Sequence, residues 1–452
     1  MLQGGPGINQ NTNQPENQRI KPREISGFPE YSPKFQTAFQ QAQDRIRSIF
    51  ELNGYSPLET PLVERLEVLA AKGGDSDKEM YALQRVNASE WDGSDARLGL
   101  RYDLTVPLAR YVGLHFNELT FPYLRYQIGS CFRGERPQEG RYRQFTQCDI
   151  DVLDVDSVAF SYDIEIPKLV YKVLKDLEIG NFEFRISNRK ILHGFLAALQ
   201  IANPAEVTRE LDKIDKVGPN NVASSLLKLG VPEPAVKQSL ALAAISSYDG
   251  SFVNAVRSLG VKSEALEAGL QELCKVITDL NRIAPGVFKA DLSITRGFDY
   301  YTGSVYEVKW LDFPSLGSIA AGGRYDDLAS SFINRKIPGV GMSVGLSRIF
   351  SKLVKEDRLS AAPRCKTVVL LAVTDESRVR EINEIAETLR ARGIATQVFP
   401  EVTSQAKQLK YADKLGIRYV VLDKDMQIKD MSSRLQGSFD ANTWMPDTGA
   451  KE

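Results

Sequence analysis

Apolar residues recur at helical spacing between Ser32 and Leu52, with Phe35, Phe39, Ala42, Ile46, Ile49 and Phe50 on one face and Asn53-Gly54 as a stop. This pattern predicts a long amphipathic helix. From Tyr55 to Glu64 the prolines Pro57 and Pro61 bracket a short extended piece, as expected of an edge or interface strand and hence of dimer contacts. Between Phe121 and Leu153 apolar and polar positions alternate around a break at Pro137-Gln138-Glu139-Gly140, which predicts a β-hairpin with a long loop. Residues 193–288 change period to Ala, Leu and Lys at helical spacing, a helical insertion between β-rich segments. The β pattern resumes over Ala290–Trp310 and ends in a Gly-rich piece before a helix near Leu346–Val354.

Beyond a charged linker with Ala361-Ala362-Pro363, five elements alternate: Val368–Val373 strand, Arg378–Arg392 helix, Ala395–Phe399 strand, Gln405–Leu415 helix and Tyr419–Leu422 strand. They predict a small α/β domain. The expected map is a disordered tail over 1–22, a core from 23–192 and 289–354, the insertion 193–288, a linker 355–365 and a terminal domain 366–452. The tail is rich in Gln, Asn, Gly and Pro, with too little apolar content to offset the entropy of ordering.

Length and composition change this picture little: 452 residues, 42% hydrophobic and 25% charged suit a globular chain of about three domains. A net charge of −1 supplies no overall basic field, so any polyanion site must come from a local cluster, and neither DNA nor membrane is expected as a partner. The four cysteines (Cys131, Cys148, Cys274, Cys365) form no CxxC pair and read as reduced thiols in the cytoplasm. No apolar run approaches the roughly 18 residues of a membrane span. With only His115 and His193, a His-based triad or His-rich metal site is not expected.

The local cluster is Arg133-Gly-Glu135-Arg136-Pro-Gln138-Glu-Gly140-Arg141-Tyr142-Arg143, four arginines in eleven residues around a Gly/Pro loop. It suits either a polyphosphate or a solvated hairpin. The period of two then places Arg141, Arg143, Phe145, Gln147, Asp149 and Asp151 on one face, with Gln147 and Asp151 either gripping a ligand or forming a core polar pair. Arg296-Gly-Phe-Asp-Tyr300-Tyr301-Thr-Gly303 combines a permanent cation, a carboxylate and two phenols, fitting a pocket for an anion-bearing, aromatic-sized ligand or a turn with surface tyrosines. Gly339-Val-Gly341-Met-Ser-Val-Gly345-Leu-Ser-Arg348 lacks the third glycine of a dinucleotide fingerprint, and Gly322-Gly323-Arg324-Tyr325-Asp326 lacks the Lys-Ser/Thr of a Walker loop.

Taken together these segments resemble the class II aminoacyl-tRNA synthetases, and within them the histidyl-tRNA synthetase family, over about residues 24–435. Pro61 and its flanks resemble motif 1, Phe132-Arg133-Gly134-Glu135 through Asp151 motif 2, and Gly341 to Arg348 motif 3. The Arg296–Gly303 and Gly322–Asp326 stretches resemble the two signature peptides of the histidine branch. The resemblance implies an α+β fold: an antiparallel sheet flanked by helices, with the helical insertion and an anticodon-binding C-terminal α/β domain. It implies activation of L-histidine by ATP with Mg²⁺, transfer to tRNA(His), and a homodimer.

Residue by residue, it implies that Arg133 and Arg296 are catalytic and also bind histidine. Asp103, Leu104, Thr105, Gln147, Asp151, Tyr300 and Tyr301 would complete the histidine site. Arg133, Glu135, Arg141 and Arg348 would bind ATP, Gln138 and Arg143 would meet the tRNA acceptor end, and no side-chain metal site is implied. Arg296 would take the place of a metal found in related synthetases. The short connection from Leu422 to Ile428 departs from the family pattern, with no Gly-bearing strand pair expected before Lys429-Asp430-Met431. The family's regulatory paralogue, a non-catalytic subunit of ATP phosphoribosyltransferase, is the alternative, and a tRNA-binding module with a degenerate core is a second one. Retention of Arg133, Arg296, Arg348 and the C-terminal domain favours the enzyme.

Overall fold

The amphipathic helix spans Pro33–Leu52 and buries Phe39, Ile46 and Phe50. Proline opens it, where a missing N–H costs nothing, and Gly54 at φ +86° ends it. In this computed structural model the described residues are 20–71, 79–84, 97–294, 301–327, 329–359 and 364–447. Most of the expected tail, Arg296 and Tyr300 lie outside them.

That helix packs beside helix Tyr162–Asp176 under a nine-stranded sheet. Six strands form its antiparallel centre, in the order Tyr123–Phe132, Gln144–Leu153, Gly339–Gly345, Ser318–Tyr325, Tyr301–Trp310, Phe182–Asn188. Ser56–Pro57 adds a parallel strand at one edge, where proline's missing donor is tolerated. Phe288–Asp291 joins the other side parallel to Phe182–Asn188, and Ser246–Ser247 closes it. A small sheet of Val63–Arg65, Leu98–Leu100 and Tyr81–Leu83 leads into the loop that carries Asp103.

The segment expected as an insertion is helical, but Ser246–Ser247 extends the main sheet and the apolar side chains of this segment, such as Val207, Leu226 and Phe252, join the sheet's own core. Its helices Arg189–Ala198 and Glu264–Ile283 approach closely: a Cβ on Gly194 would lie 2.5 Å from Leu266 N, and one on Gly269 2.9 Å from Ile191 N.

The C-terminal residues build a separate sheet in the order Thr396–Val398, Val369–Leu371, Tyr419–Leu422, Gln427–Asp430, Gln436–Ser438, with helices Val379–Ala391 and Gln405–Leu415 and a core of its own. The short connection after Leu422 does carry a strand pair: Tyr419–Leu422 and Gln427–Asp430 form a hairpin whose turn places Met426 at φ +45°. A tight turn without glycine thus forms a strand pair that the short connection does not lead one to expect. Among the described residues no helix is long and apolar enough to cross a membrane.

Candidate active site

The hairpin of strands Tyr123–Phe132 and Gln144–Leu153 sets the site, because its second strand lays Gln147, Asp149 and Asp151 in a row. These three, with Asp103, Thr105, Arg133, Glu135, Arg141, Tyr301, Tyr325 and Arg348, line a cavity of about 480 Å³. That is the size range of small-molecule sites. Asp103 also caps the helix Thr105–His115 by accepting from Val106 N at 3.1 Å, which fixes the carboxylate at the cavity wall.

Three buried oxygens in this wall, Asp103 Oδ2, Gln147 Oε1 and Asp149 Oδ1, make no hydrogen bond among the described residues, and Asp151 Oδ2 is met by the Arg125 guanidinium at 2.6 Å without a directed hydrogen bond. Buried acceptors without donors are costly, so this wall is shaped for a ligand that brings N–H groups. Burial pushes the Asp103 and Asp151 carboxyls up, while Arg125 opposes the rise in both cases.

Asp149 is raised as well. Burial, then the neighbouring Asp151 and Asp103, push its carboxyl to about 7 against the opposing pull of Arg125 and Ser343. A carboxyl whose folded pKa exceeds its unfolded value holds its proton more tightly when folded, so it lowers stability as pH rises from about 4 to about 7. Asp149→Asn removes that loss. We expect the variant's thermal midpoint to match wild type near pH 4 and to exceed it by roughly 2–4 °C at pH 8, as read by calorimetry of the ligand-free protein; an equal difference at both pH values would refute a titrating Asp149.

The opposite chemistry gathers around Arg348. Its Nε donates to Gly140 O at 2.8 Å and its Nη1 to Ser318 O, which holds the guanidinium over the hairpin loop. Burial lowers its pKa, and the positive fields of Arg141 and Arg133 lower it further, against Glu135. Arg141 in turn pairs with Glu135 at 3.1 Å. Arg133 and Arg141 thus both bear on Arg348 within one cavity, a cationic cluster suited to a polyanion. Arg133 belongs to both groups: its field is felt by Arg348 and, with opposite sign, by Asp103.

Glycines give the site its depth. Gly341 stands opposite Asp151, and a Cβ there would lie 2.5 Å from Asp151 Cγ and closer still to Oδ1. A Cβ on Gly323 would meet the Tyr301 ring at 2.7 Å, so that ring lies flat on bare backbone. Gly339 similarly underlies the Tyr325 ring.

Several expected residues stand elsewhere. The strand begins at Gln144, so Arg141 and Arg143 are not on the face shared by Gln147, Asp149 and Asp151. Arg143 does not line the cavity; its Nε and Nη1 donate to the carbonyls of Glu135 and Ser26 at 3.3 and 3.4 Å, bracing the hairpin against the N-terminal segment. Gln138 lies in the exposed loop, bridged to Arg141 through the backbone. Leu104 is fully buried and apart from the cavity lining.

A sequence model of the histidyl-tRNA synthetase family matches residues 27–349. A protein named histidine--tRNA ligase from Thermobifida fusca (strain YX) is 45% identical over 95% of this chain and 99% of its own. The crystal structure of histidyl-tRNA synthetase from Nostoc sp. PCC 7120 superposes with a TM-score of 0.83 at 34% identity, covering 94% of this chain and 98% of that one. The chain belongs to the histidyl-tRNA synthetase family. An ATP phosphoribosyltransferase regulatory subunit/histidyl-tRNA synthetase from Bacillus halodurans C shares the fold at a TM-score of 0.72 and 20% identity, over 87% of this chain and 97% of that one.

Within this family's site, the sequence reading passed over three residues. Asp149 was on the predicted face without a role, and its burial beside two other carboxylates is the signal. Tyr325 donates to Asp151 Oδ1 at 3.1 Å, while its neighbour Arg324 turns to the other side of the sheet and pairs with buried Asp163. Arg125 contacts Asp151 from the neighbouring strand, Nη2 to Oδ2 at 2.6 Å, and no local motif marks it.

Proposed function

We infer that this chain is a histidine--tRNA ligase: it activates L-histidine with ATP and transfers the histidyl group to tRNA(His). The observation that carries this reading is the divided cavity, with the unpartnered acceptors of Asp103, Gln147 and Asp149 beside the Asp151 carboxylate in one group and the guanidiniums of Arg141 and Arg348 in another, joined by Arg133. An α-ammonium and an imidazole N–H satisfy the first group, a triphosphate the second. The bond between them forms where Arg133 stands.

In the first step a histidine carboxylate oxygen attacks the α-phosphorus, the bond to the bridging oxygen of the β-phosphate breaks, and pyrophosphate leaves. Two anions must approach each other, so positioning and charge neutralisation dominate the barrier. The nucleophile is already ionised and needs no general base. Arg133, with Arg296 proposed to approach from the opposite side, neutralises the reacting oxygens; Arg141 and Arg348 hold the phosphates and the adenine, and Glu135 lies on the adenine side. Asp103, Thr105 and Gln147 take the α-amino and carboxylate groups. Asp151 and Tyr301 read the ring nitrogens, with Tyr300 proposed as a wall.

Among the described residues no three His, Cys, Asp or Glu side chains are grouped to hold a metal. Magnesium would enter with ATP and share neutralisation of its phosphates with the guanidiniums of Arg133, Arg141 and Arg348. In the second step a terminal ribose hydroxyl of tRNA attacks the carbonyl and AMP departs. The hairpin loop bearing Gln138 would face the acceptor end, with Arg143 as its brace, and the C-terminal domain would take the anticodon. A cytoplasmic homodimer is proposed, supported by the half-exposed Leu62 and the neighbouring exposed Val63 beside Pro61 in the motif 1 segment and by the free thiols. The described core keeps Arg133 and Arg348, which a regulatory subunit has no need of.

Amino-acid-dependent ATP–pyrophosphate exchange, run with each of the twenty amino acids, tests the assignment. Exchange with histidine alone is expected. No exchange with any of them from folded protein would shift the assignment to the regulatory subunit, to be sought by binding to the phosphoribosyltransferase.

A further inference from the structure

Arg125 is among the largest fully buried side chains, on the strand Tyr123–Phe132 and paired in register with Asp151. It stands beside Asp151 on the same face of the sheet and is not among the residues that line the cavity. Its Nη2 lies 2.6 Å from Asp151 Oδ2, yet none of its Nε, Nη1 or Nη2 hydrogens makes a directed hydrogen bond among the described residues. The contact is therefore coulombic rather than a directed fork. Arg125 also pulls down the carboxyls of Asp103 and Asp149, opposing their burial. It is thus a buried cation whose field reaches three buried carboxylates.

Burying a guanidinium without hydrogen bonds is expensive, and an apolar side chain of the same volume would pack this strand better. Stability alone does not account for it. We propose that Arg125 is a positioning residue for amino-acid selection: its charge keeps Asp151 ionised and fixed, so that the site presents a pure acceptor to the substrate ring. This rests on the reading that Asp151 takes the imidazole. Tyr325 already donates to Oδ1 of that carboxylate, which fixes its plane. With Asp151 ionised, the ring must turn an N–H toward it and offer its other nitrogen to the Tyr301 hydroxyl. A side chain without a ring N–H would leave the remaining lone pairs of this buried charged acceptor unmet, a strong ground for rejection.

The test is a double-mutant cycle of Arg125→Met and Asp151→Asn, read by histidine-dependent ATP–pyrophosphate exchange with histidine and ATP varied separately. Arg125→Met alone is expected to raise the histidine KM roughly 100-fold while the ATP KM stays within about threefold, and Arg125→Lys should recover part of that loss. In the Asp151→Asn background, adding Arg125→Met should change the histidine KM no further. The double variant removes the Asp151 carboxylate together with the cation that pairs with it, so it supplies a better-balanced reference if Arg125→Met alone is unstable.

Multiplicative effects in the cycle, an equal rise in both KM values, or an unchanged histidine KM would each overturn the proposal. Failure of the wild-type protein to exchange with histidine would instead overturn the reading beneath it, so the two failures are distinguishable.

Discussion

Arg133→Ala is expected to lower histidine-dependent ATP–pyrophosphate exchange by about 10³-fold or more, chiefly in kcat. Three features of its setting carry this expectation. Its Nε donates to Tyr102 O at 3.1 Å, and its guanidinium lies 5.0 Å from the centre of the Phe145 ring, so the group is held before substrate arrives. A cation held in place needs no reorganisation as charge shifts between carboxylate and phosphorus. Its field reaches both the acceptor group, through Asp103, and the cationic group, through Arg348. Arg133→Lys should fall between the two, because an ammonium keeps the charge but not the planar fork. The side chain is only half-buried, so the thermal midpoint should move by no more than a few degrees. Exchange within tenfold of wild type in Arg133→Ala would remove Arg133 from the reacting atoms and pass its role to other residues.

What could be read in the chain beforehand follows the range of the forces involved. The first long helix, the hairpin of residues 123–153 and the terminal α/β domain were legible because their apolar periods are local and end at Gly or Pro. Cavity residues with sequence neighbours of like chemistry, such as Gln147 and Asp151 on one strand face, were legible for the same reason. Arg125 was not. Flanked by Leu124 and Tyr126, it reads as an ordinary strand arginine, and only the register opposite Asp151 buries it. The count of arginines in the hairpin loop pointed to phosphate, yet backbone carbonyls of Ser26 and Glu135 take up Arg143. A cationic side chain cannot announce from sequence whether a phosphate or a carbonyl will receive it. The core shared between the sheet and the helices from 189 to 283 was hidden likewise, since it depends on Gly194 and Gly269 letting two helices close on each other.

Gly341→Ala should raise the histidine KM by roughly 100-fold with a far smaller change in the ATP KM. A methyl group at this position would sit 2.5 Å from Asp151 Cγ and 2.8 Å from Ile150 O. Neither obstacle is the loose end of a long side chain, so the strand or the carboxylate must move. Gly341 pairs directly with Asp151 across the antiparallel ladder, and backbone movement there is resisted on the other side, where Gly323 pairs with Gly341. The carboxylate therefore gives way, and its contacts with Tyr325 at 3.1 Å and Arg125 at 2.6 Å go with it. Overpacking of this kind costs about 1–3 kcal/mol, which a chain with so extensive a core survives. Gly437→Ala, where a methyl would meet nothing within 4 Å, is the matched control and should leave both KM values unchanged. If Gly341→Ala binds histidine as wild type does, Asp151 cannot be the residue that reads the ring, and the glycine serves only the close approach of the neighbouring strand.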